Sequence, residues 1–275
     1  MKKLEGNVAI VSGSGRGIGR AIAMKLASEG AKVVVNDLDA DPAEDTVGAI
    51  KAAGGEAMAC AGSVTADGFA EKFVKTAIDG FGGLDIIVNN AGYTWDNVVQ
   101  KMTDEQWHAI LDVHLTAPFK ILRAAADYFR HQSKVEADAG KEVFRKVVNI
   151  SSVAGTGGNA GQANYSAGKA GIIGLTKALS KEWGRYKVNV NAVAFGLIKT
   201  RLTEATAGGN ASIDVEGRQI KVGVNPELMT MMERTIPLGR GGTPEEAAGS
   251  VYLLCTPESN YISGQVLICG GGISL

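Results

Sequence analysis

A chain of 275 residues with 45% hydrophobic content is long enough to bury a full core as one large domain or two small ones. Its 28 Lys and Arg nearly balance 29 Asp and Glu, for a net charge of −1, which removes the electrostatic case for nucleic acid or an anionic membrane as a partner. Cys60, Cys255 and Cys269 are odd in number and set among apolar residues, so they read as buried thiols in a reducing compartment and supply neither disulfides nor a metal site. The amino end, MKKLEGNVAIVSG, carries an apolar run too short for a signal peptide or a membrane span, and a cytoplasmic protein is expected. The 37 glycines are dispersed among element ends, and the chain has no internal repeat.

In chain order, the β-branched run Val8–Val11 leads directly into Ser12-Gly13-Ser14-Gly15-Arg16-Gly17-Ile18-Gly19 and the helical pattern Ile22, Met24, Leu26, Ala27. Strand, glycine turn and helix in that order predict nucleotide binding. Glycine lets the backbone approach a pyrophosphate, and the amides at the helix start point at its charge. The glycines fall at 13, 17 and 19, and Ile18 occupies the last place of the commoner Gly-x-Gly-x-x-Gly fingerprint. KVVVN over 32–36 is a second buried strand ending at Asp37. A carboxylate there accepts hydrogen bonds from the adenosine ribose hydroxyls and repels a 2′-phosphate, which predicts NAD over NADP, with Arg16 as an opposing charge. A helix-capping role is the alternative for Asp37.

The alternation continues with a helix over 42–53, a strand over 57–61, a helix over 66–81 and a strand over 84–89 that runs into Asn89-Asn90-Ala91-Gly92. Small and amide residues at such a strand end line the crevice where parallel α/β sheets bind ligands. Residues 103–129 read as one long helix with a kink expected at Pro118. A strand over 147–150 precedes SSVAGTGGNAGQANYSAGK at 151–169. Tyr165 and Lys169, four apart, lie on one face of the helix that starts there, and the ammonium is expected to lower the phenol pKa toward neutrality. Ser152 ends the preceding strand, so two hydroxyls can converge on one substrate oxygen. Gly168, Gly171, Gly174 and Ala178 form a small-residue face on that helix, read as a subunit contact.

A strand over 188–193 follows. From 200 to 237 the pattern dissolves into polar and glycine-rich sequence with Leu228, Met229, Met231 and Met232, expected to be a substrate lid spanning about 197–236. An amphipathic surface helix is the alternative for the Met patch. A helix over 244–254 and a strand over 265–269 close the chain. This rhythm predicts an α/β fold: one doubly wound parallel sheet with right-handed crossovers.

Gly13, Gly17 and Gly19, then Asn89-Asn90-Ala91-Gly92, then Ser152, then Tyr165 with Lys169 together resemble the short-chain dehydrogenase/reductase family. The likeness covers nearly the whole chain, including IPLGRGGTPEEAA and YISGQVLICGGG near its end. It is nearest to reductases of 3-oxoacyl thioesters on acyl carrier protein and to hydroxyacyl-CoA and hydroxysteroid dehydrogenases. The resemblance implies a single Rossmann domain with a mainly parallel seven-stranded sheet and helices on both faces. It implies that Tyr165 is the general acid or base, that Lys169 lowers its pKa and holds the nicotinamide ribose, and that Ser152 steadies the substrate carbonyl. The cofactor positions carried over are Gly13, Arg16, Gly17, Ile18, Gly19, Asp37, Ser63, Val64, Asn90, Ala91, Gly92, Tyr165, Lys169, Gly196, Ile198 and Thr200.

Three positions depart from the family pattern. His114 replaces an Asn that helps hold a water in the proton relay behind the lysine, and it is expected to keep that relay while titrating near neutrality. Phe195 replaces a proline beside the nicotinamide, which predicts a less rigid turn. Ser63 replaces an Asp that meets the adenine. Residues 131–142 look like a charged surface insertion. The expected activity is NAD(H)-dependent interconversion of a secondary alcohol and a ketone, with an acyl thioester as first choice of substrate. A steroid or an aryl or alicyclic alcohol is the alternative substrate, and the protein is expected to be a homotetramer or dimer. A non-catalytic dinucleotide-binding subunit is the rival from another class, and an NAD-keeping epimerase or dehydratase the rival within the fold.

Overall fold

The computed structural model describes residues 2–200, 212–221, 223 and 226–273. Seven strands form one sheet: β1 (Val8–Val11), β2 (Lys32–Val35), β3 (Ala57–Ala59), β4 (Ile86–Asn89), β5 (Arg145–Ser152), β6 (Val188–Phe195) and β9 (Val266–Cys269). Their order is β3-β2-β1-β4-β5-β6-β9, and every pair is parallel. The chain runs outward from β1 to β3, then returns to the other side of β1 as β4, so the crossovers diverge between β1 and β4 and leave a crevice at their carboxyl ends.

Alternating residues of each strand feed two cores, as a period of two requires. Ala9, Val11, Val33 and Val35 face α1 (Gly17–Ser28), α2 (Ala40–Ala52) and α9 (Pro244–Cys255). Val8, Ile10 and Val34 face α3 (Phe69–Phe81), α5 (Ala117–Asp138) and the end of α7 (Ala163–Trp183). Helices therefore cover both faces of a doubly wound Rossmann sheet, as the alternation predicts.

The expected single helix over 103–129 is built otherwise. Thr103 caps α4 (Asp104–Leu111) in a capping box with Gln106, a π turn occupies Asp112–Thr116, and α5 then runs to Asp138. Pro118 has no N–H to offer the His114 carbonyl four residues back, and the widened turn sits just ahead of it in place of a kink at the proline. The charged stretch at 131–138 continues α5 as helix. Glu136 in it accepts two hydrogen bonds from the buried Arg145, at 2.8 and 2.5 Å, which joins the end of α5 to the start of β5.

The segment over 197–236 is more regular than its composition suggests. A hairpin of β7 (Ser212–Val215) and β8 (Arg218–Lys221) precedes α8 (Pro226–Thr235). Met231 and Met232 are exposed on α8. Residues 201–211, 222, 224 and 225 and the side chain of Leu228 lie outside the described residues.

The small-residue face of α7, expected to be a subunit contact, is half internal: Gly168 and Gly171 pack on their own chain, while Gly174 and Ala178 are exposed. A Cβ on Gly168 would stand 3.2 Å from His114 Cβ, and one on Gly171 would stand 2.8 Å from Leu115 Cδ2. Both glycines let α7 close onto the π turn. Among the described residues, nothing lies within 4 Å of a Cβ on Gly174.

Candidate active site

The two motif-bearing strand ends meet in the crevice. The glycine turn after β1 is closed tightly against the end of β4: a Cβ on Gly13 would stand 2.7 Å from Ala91 Cα, and one on Gly19 would stand 2.0 Å from the Gly13 carbonyl oxygen. Gly13 and Gly17 also take positive φ, at 61° and 54°. The N-cap residue of α1, Arg16, makes no side-chain cap, and the first amides of the helix lie at the crevice end of the turn. A cradle that only glycine fits, opening on an uncapped helix start, suits the diphosphate of a dinucleotide.

Asn90 serves this cradle by structure. Its side-chain amide donates to the Ser12 and Gly13 carbonyls at 3.0 Å each. Ser12 and Asn36 are positions that motif reading passes over. The buried Ser12 hydroxyl accepts from the Asn90 and Ala91 amides, both at 3.0 Å. Asn36 Oδ1 accepts from the Gly13 amide at 3.1 Å, while its Nδ2 donates to the carbonyls of Cys60 and Gly62. One buried amide thus holds three strand ends in register. The signal available in sequence is an asparagine ending an otherwise apolar strand, a costly residue there unless fully bonded.

Asp37 lies at the tip of β2, nearly buried, with Arg16 Nη1 at 3.6 Å; the same guanidinium stands 3.3 Å from Asp39. The cleft beside them is lined by Arg16, Arg20, Asp39, Asp41 and Asp45, an acidic excess. Ser63 Oγ shares a 2.8 Å hydrogen bond with Thr65, and Val64 is buried beside it. On the far side, Gly196 packs on Gly270, where a Cβ would stand 2.8 Å from its Cα. Ile198 is buried, and Thr200 Cγ2 lies across from Gly17. At Phe195, where a less rigid turn is expected, β6 continues, paired with Ser152 and Cys269, and the Gly196 amide donates to the Cys269 carbonyl at 3.0 Å.

At the carboxyl end of β5, Ser152 caps the short helix α6 (Val153–Gly157), accepting from the Ala154 amide at 3.1 Å. Lys169 is bracketed by the same strand. Its ammonium donates to the Ile150 carbonyl at 2.7 Å, and its own carbonyl accepts from Ser151 Oγ at 2.7 Å. Its Nζ stands 5.6 Å from the centre of the Tyr165 ring. Ser152, Tyr165 and Lys169 are therefore brought to one site.

The charge state of this site is opposite to the sequence expectation. Burial pushes the Tyr165 phenol up to about 12, only partly offset by hydrogen bonding from Ser152 and reinforced by the Asp96 carboxylate. Burial likewise brings Lys169 down to about 7. In the ligand-free protein burial dominates both groups, raising the phenol and lowering the lysine. Tyr165 keeps part of its surface open to the crevice, desolvated without being sealed.

His114 also differs from expectation. It is buried in the π turn, edge-on to Tyr165 with ring centres 5.0 Å apart. Its Nε2 stands 2.7 Å from the Tyr93 carbonyl, which can only accept, so the proton sits on Nε2, and the buried Nδ1 lone pair has no partner among the described residues. Burial, then the Lys169 charge, hold its pKa well below the usual histidine value. It is a neutral imidazole at physiological pH and does not titrate there.

Residues 7–210 match the short chain dehydrogenase family, and the chain belongs to it. It is a short-chain dehydrogenase/reductase-type oxidoreductase, a class whose cofactor is a nicotinamide dinucleotide. It is 40% identical over 275 residues to a 3-oxoacyl-[acyl-carrier-protein] reductase of Synechocystis sp., covering 99% of both chains. A 3-oxoacyl-[acyl-carrier-protein] reductase FabG of Vibrio cholerae is 39% identical over 273 residues, 98% of each chain. The hydroxyacyl-CoA dehydrogenase ChsB1 of Mycobacterium tuberculosis is 41% identical over 273 residues, 98% of this chain and 78% of its own.

Proposed function

We infer that this oxidoreductase interconverts a 3-hydroxyacyl and a 3-oxoacyl thioester with NAD(H). The observation that carries the chemistry is the convergence of Ser152, Tyr165 and Lys169 at the carboxyl end of β5, beside the glycine cradle at the end of β1. The bound nicotinamide supplies the hydride. Tyr165, protonated throughout the physiological range, donates its proton to the substrate oxygen in the reductive direction. Ser152 hydrogen-bonds that oxygen and keeps it at the phenol. Lys169, held by the Ile150 carbonyl, would hold the nicotinamide ribose, and in its protonated form it favours the phenolate left after transfer. His114 offers Nδ1 as a fixed acceptor for a relay water behind the lysine, with no change of its own charge near neutrality.

The acidic excess around Asp37 and Asp39, with Arg16 already paired to both, supports NAD over NADP because a 2′-phosphate would enter a net negative cleft. The names of the relatives support a thioester. A homo-oligomer is supported by Leu267 and Ile268, exposed on the edge strand β9 beside exposed Ile262. Among the described residues no helix is long and apolar enough to cross a membrane. Free thiols at Cys60, Cys255 and Cys269 support a reducing, cytoplasmic compartment.

The test is purified protein with NADH or NADPH and acetoacetyl-CoA, a steroid ketone or an aryl ketone, followed at the nicotinamide absorbance band. Oxidation of NADH by the thioester is the expected result. Turnover of the steroid or aryl ketone alone would replace the substrate, preference for NADPH would overturn the cofactor, and no turnover with tight NADH binding would favour a non-catalytic subunit.

A further inference from the structure

Tyr165 stands in a position where helices are weakest. It is the third residue of α7, and no side chain of the N-cap residue Gln162 bonds the helix start. Uncapped first turns fray, because their amides have no partner within the helix. A phenol that must meet a substrate oxygen to within a fraction of an ångström cannot be carried on a fraying turn.

Asn164 supplies what the cap does not. It is fully buried, and its carboxamide makes three hydrogen bonds to three separate parts of the chain. Its Oδ1 accepts from the Tyr165 amide at 2.8 Å, and its Nδ2 donates to the Trp95 carbonyl at 3.1 Å and the Gln106 carbonyl at 3.0 Å. Gln106 belongs to α4, and Trp95 to the loop after β4 whose Tyr93 carbonyl is held by His114. The loop is strapped to the start of α7 at two further points: Gln162 Nε2 donates to Asp96 at 2.7 Å, and the Asn97 amide donates to the Gly161 carbonyl at 2.9 Å. The helix start, the loop and α4 are thus one body, with Asn164 where they meet.

We propose that Asn164 is a positioning residue for the reaction: its carboxamide fixes the Tyr165 backbone against the loop at 93–97 and α4, and so sets where the phenol meets the substrate. This rests on the oxidoreductase reading above for its catalytic consequence, though not for its geometry.

The experiment compares the parent, Asn164→Ala and Asn164→Asp in the full chain. Turnover is read with acetoacetyl-CoA and NADH or NADPH, cofactor affinity by fluorescence titration, and amide hydrogen exchange over 160–170 on the ligand-free protein. In Asn164→Ala, kcat falls about 100-fold with cofactor affinity unchanged, and exchange over 163–166 accelerates about tenfold. In Asn164→Asp the carboxyl faces two carbonyl oxygens, which raises its pKa. While protonated it keeps the acceptor for Tyr165 and one donor. Its kcat therefore exceeds that of the Ala variant by about tenfold at low pH and loses that advantage as pH rises, a titration absent from the parent.

A folded Ala variant within about threefold of parental kcat, with parental exchange, overturns the proposal. Where the Ala variant does not fold, an Asp variant whose pH profile superimposes on that of the parent overturns it, and the added titration supports it. A parent that turns over no thioester defeats the substrate reading alone. Exchange of the Tyr165 amide, which needs no substrate, then decides the positioning role by itself.

Discussion

His114 and Gly92 fit against one another with no room between them: a Cβ on Gly92 would stand 2.1 Å from His114 Cε1 and 2.7 Å from Nδ1. The imidazole is anchored on the next carbonyl, that of Tyr93, and stands edge-on to Tyr165. A side chain at Gly92 therefore pushes on Tyr165 through the imidazole. Gly92→Ala is expected to cost about 1–3 kcal/mol of stability through overpacking and to lower kcat more than it raises the KM for cofactor. His114→Ala in the same chain removes the clash and recovers part of both losses. Thermal melts and steady-state kinetics on the four chains of the double-mutant cycle check this, and strictly additive effects would show that the two positions do not communicate.

Asp37 and Asp39 share the Arg16 guanidinium, at 3.6 and 3.3 Å. Replacing Asp37 with Ser removes one repulsive charge and releases Arg16 toward a 2′-phosphate. The ratio of kcat/KM for NADPH over NADH is expected to rise by at least about tenfold, the equivalent of ~1.4 kcal/mol. Measuring both cofactors on parent and variant decides it. The N-cap of α2 is Asp39, whose amide donates to Asp37 Oδ1 at 3.3 Å, so an unchanged ratio would confine Asp37 to ordering that turn rather than binding the ribose.

The pH dependence of stability follows from the buried lysines. Lys169 is brought down to about 7 and Lys146 to about 8, both by burial, from an ordinary 10.5. The unfolded chain therefore holds more protons than the folded one from about pH 7 upward, and stability rises with pH there. Cys255 and Tyr165, both pushed up to about 12 by burial, act in the other direction once pH passes their ordinary values of 9.0 and 10.0. The ligand-free protein is expected to be most stable at about pH 10, where the two opposing sets of groups cancel, and Lys146→Met to flatten the rise below it. Urea midpoints across pH 6–10 read both effects, and a midpoint that falls steadily from pH 7 would contradict the charge states assigned here.

Arg145 is buried with Glu136 at 2.8 and 2.5 Å and Asp85 at 3.7 Å. Removing one partner leaves a buried guanidinium short of counter-charge. Glu136→Ala is expected to lose about 3 kcal/mol, far more than removal of an exposed acid from a surface insertion, which changes stability by less than about 0.5 kcal/mol. Chemical denaturation separates the two.

Local order was legible in the sequence wherever one physical need allows few residue types. The βα alternation, the glycine turn at Gly13, Gly17 and Gly19, and the grouping of Ser152, Tyr165 and Lys169 could be read because strand burial, close backbone approach and hydroxyl chemistry each leave a periodic or spaced trace. The break of the long helix at Asp112–Thr116 was not legible, since hydrophobic spacing runs smoothly through a single widened turn. The helix at 131–138 was likewise hidden, because what holds it is an ion pair to Arg145 across a turn.

The chain's order of residues by itself determined the sheet, its switch point between β1 and β4, and which side chains meet at the candidate site. Tertiary structure decided their state. Whether a phenol and an ammonium four residues apart attract or merely lose their water depends on how much protein surrounds them, and here burial raises Tyr165 and lowers Lys169. It also decided that His114 is neutral and that Gly168 and Gly171 face their own chain. The amide of Asn164, silent in any motif, joins three segments because packing brings their backbone groups to it. Spacing along the chain reports which groups can meet; only the folded surroundings set the dielectric and the hydrogen-bond partners that give those groups their charge and their place.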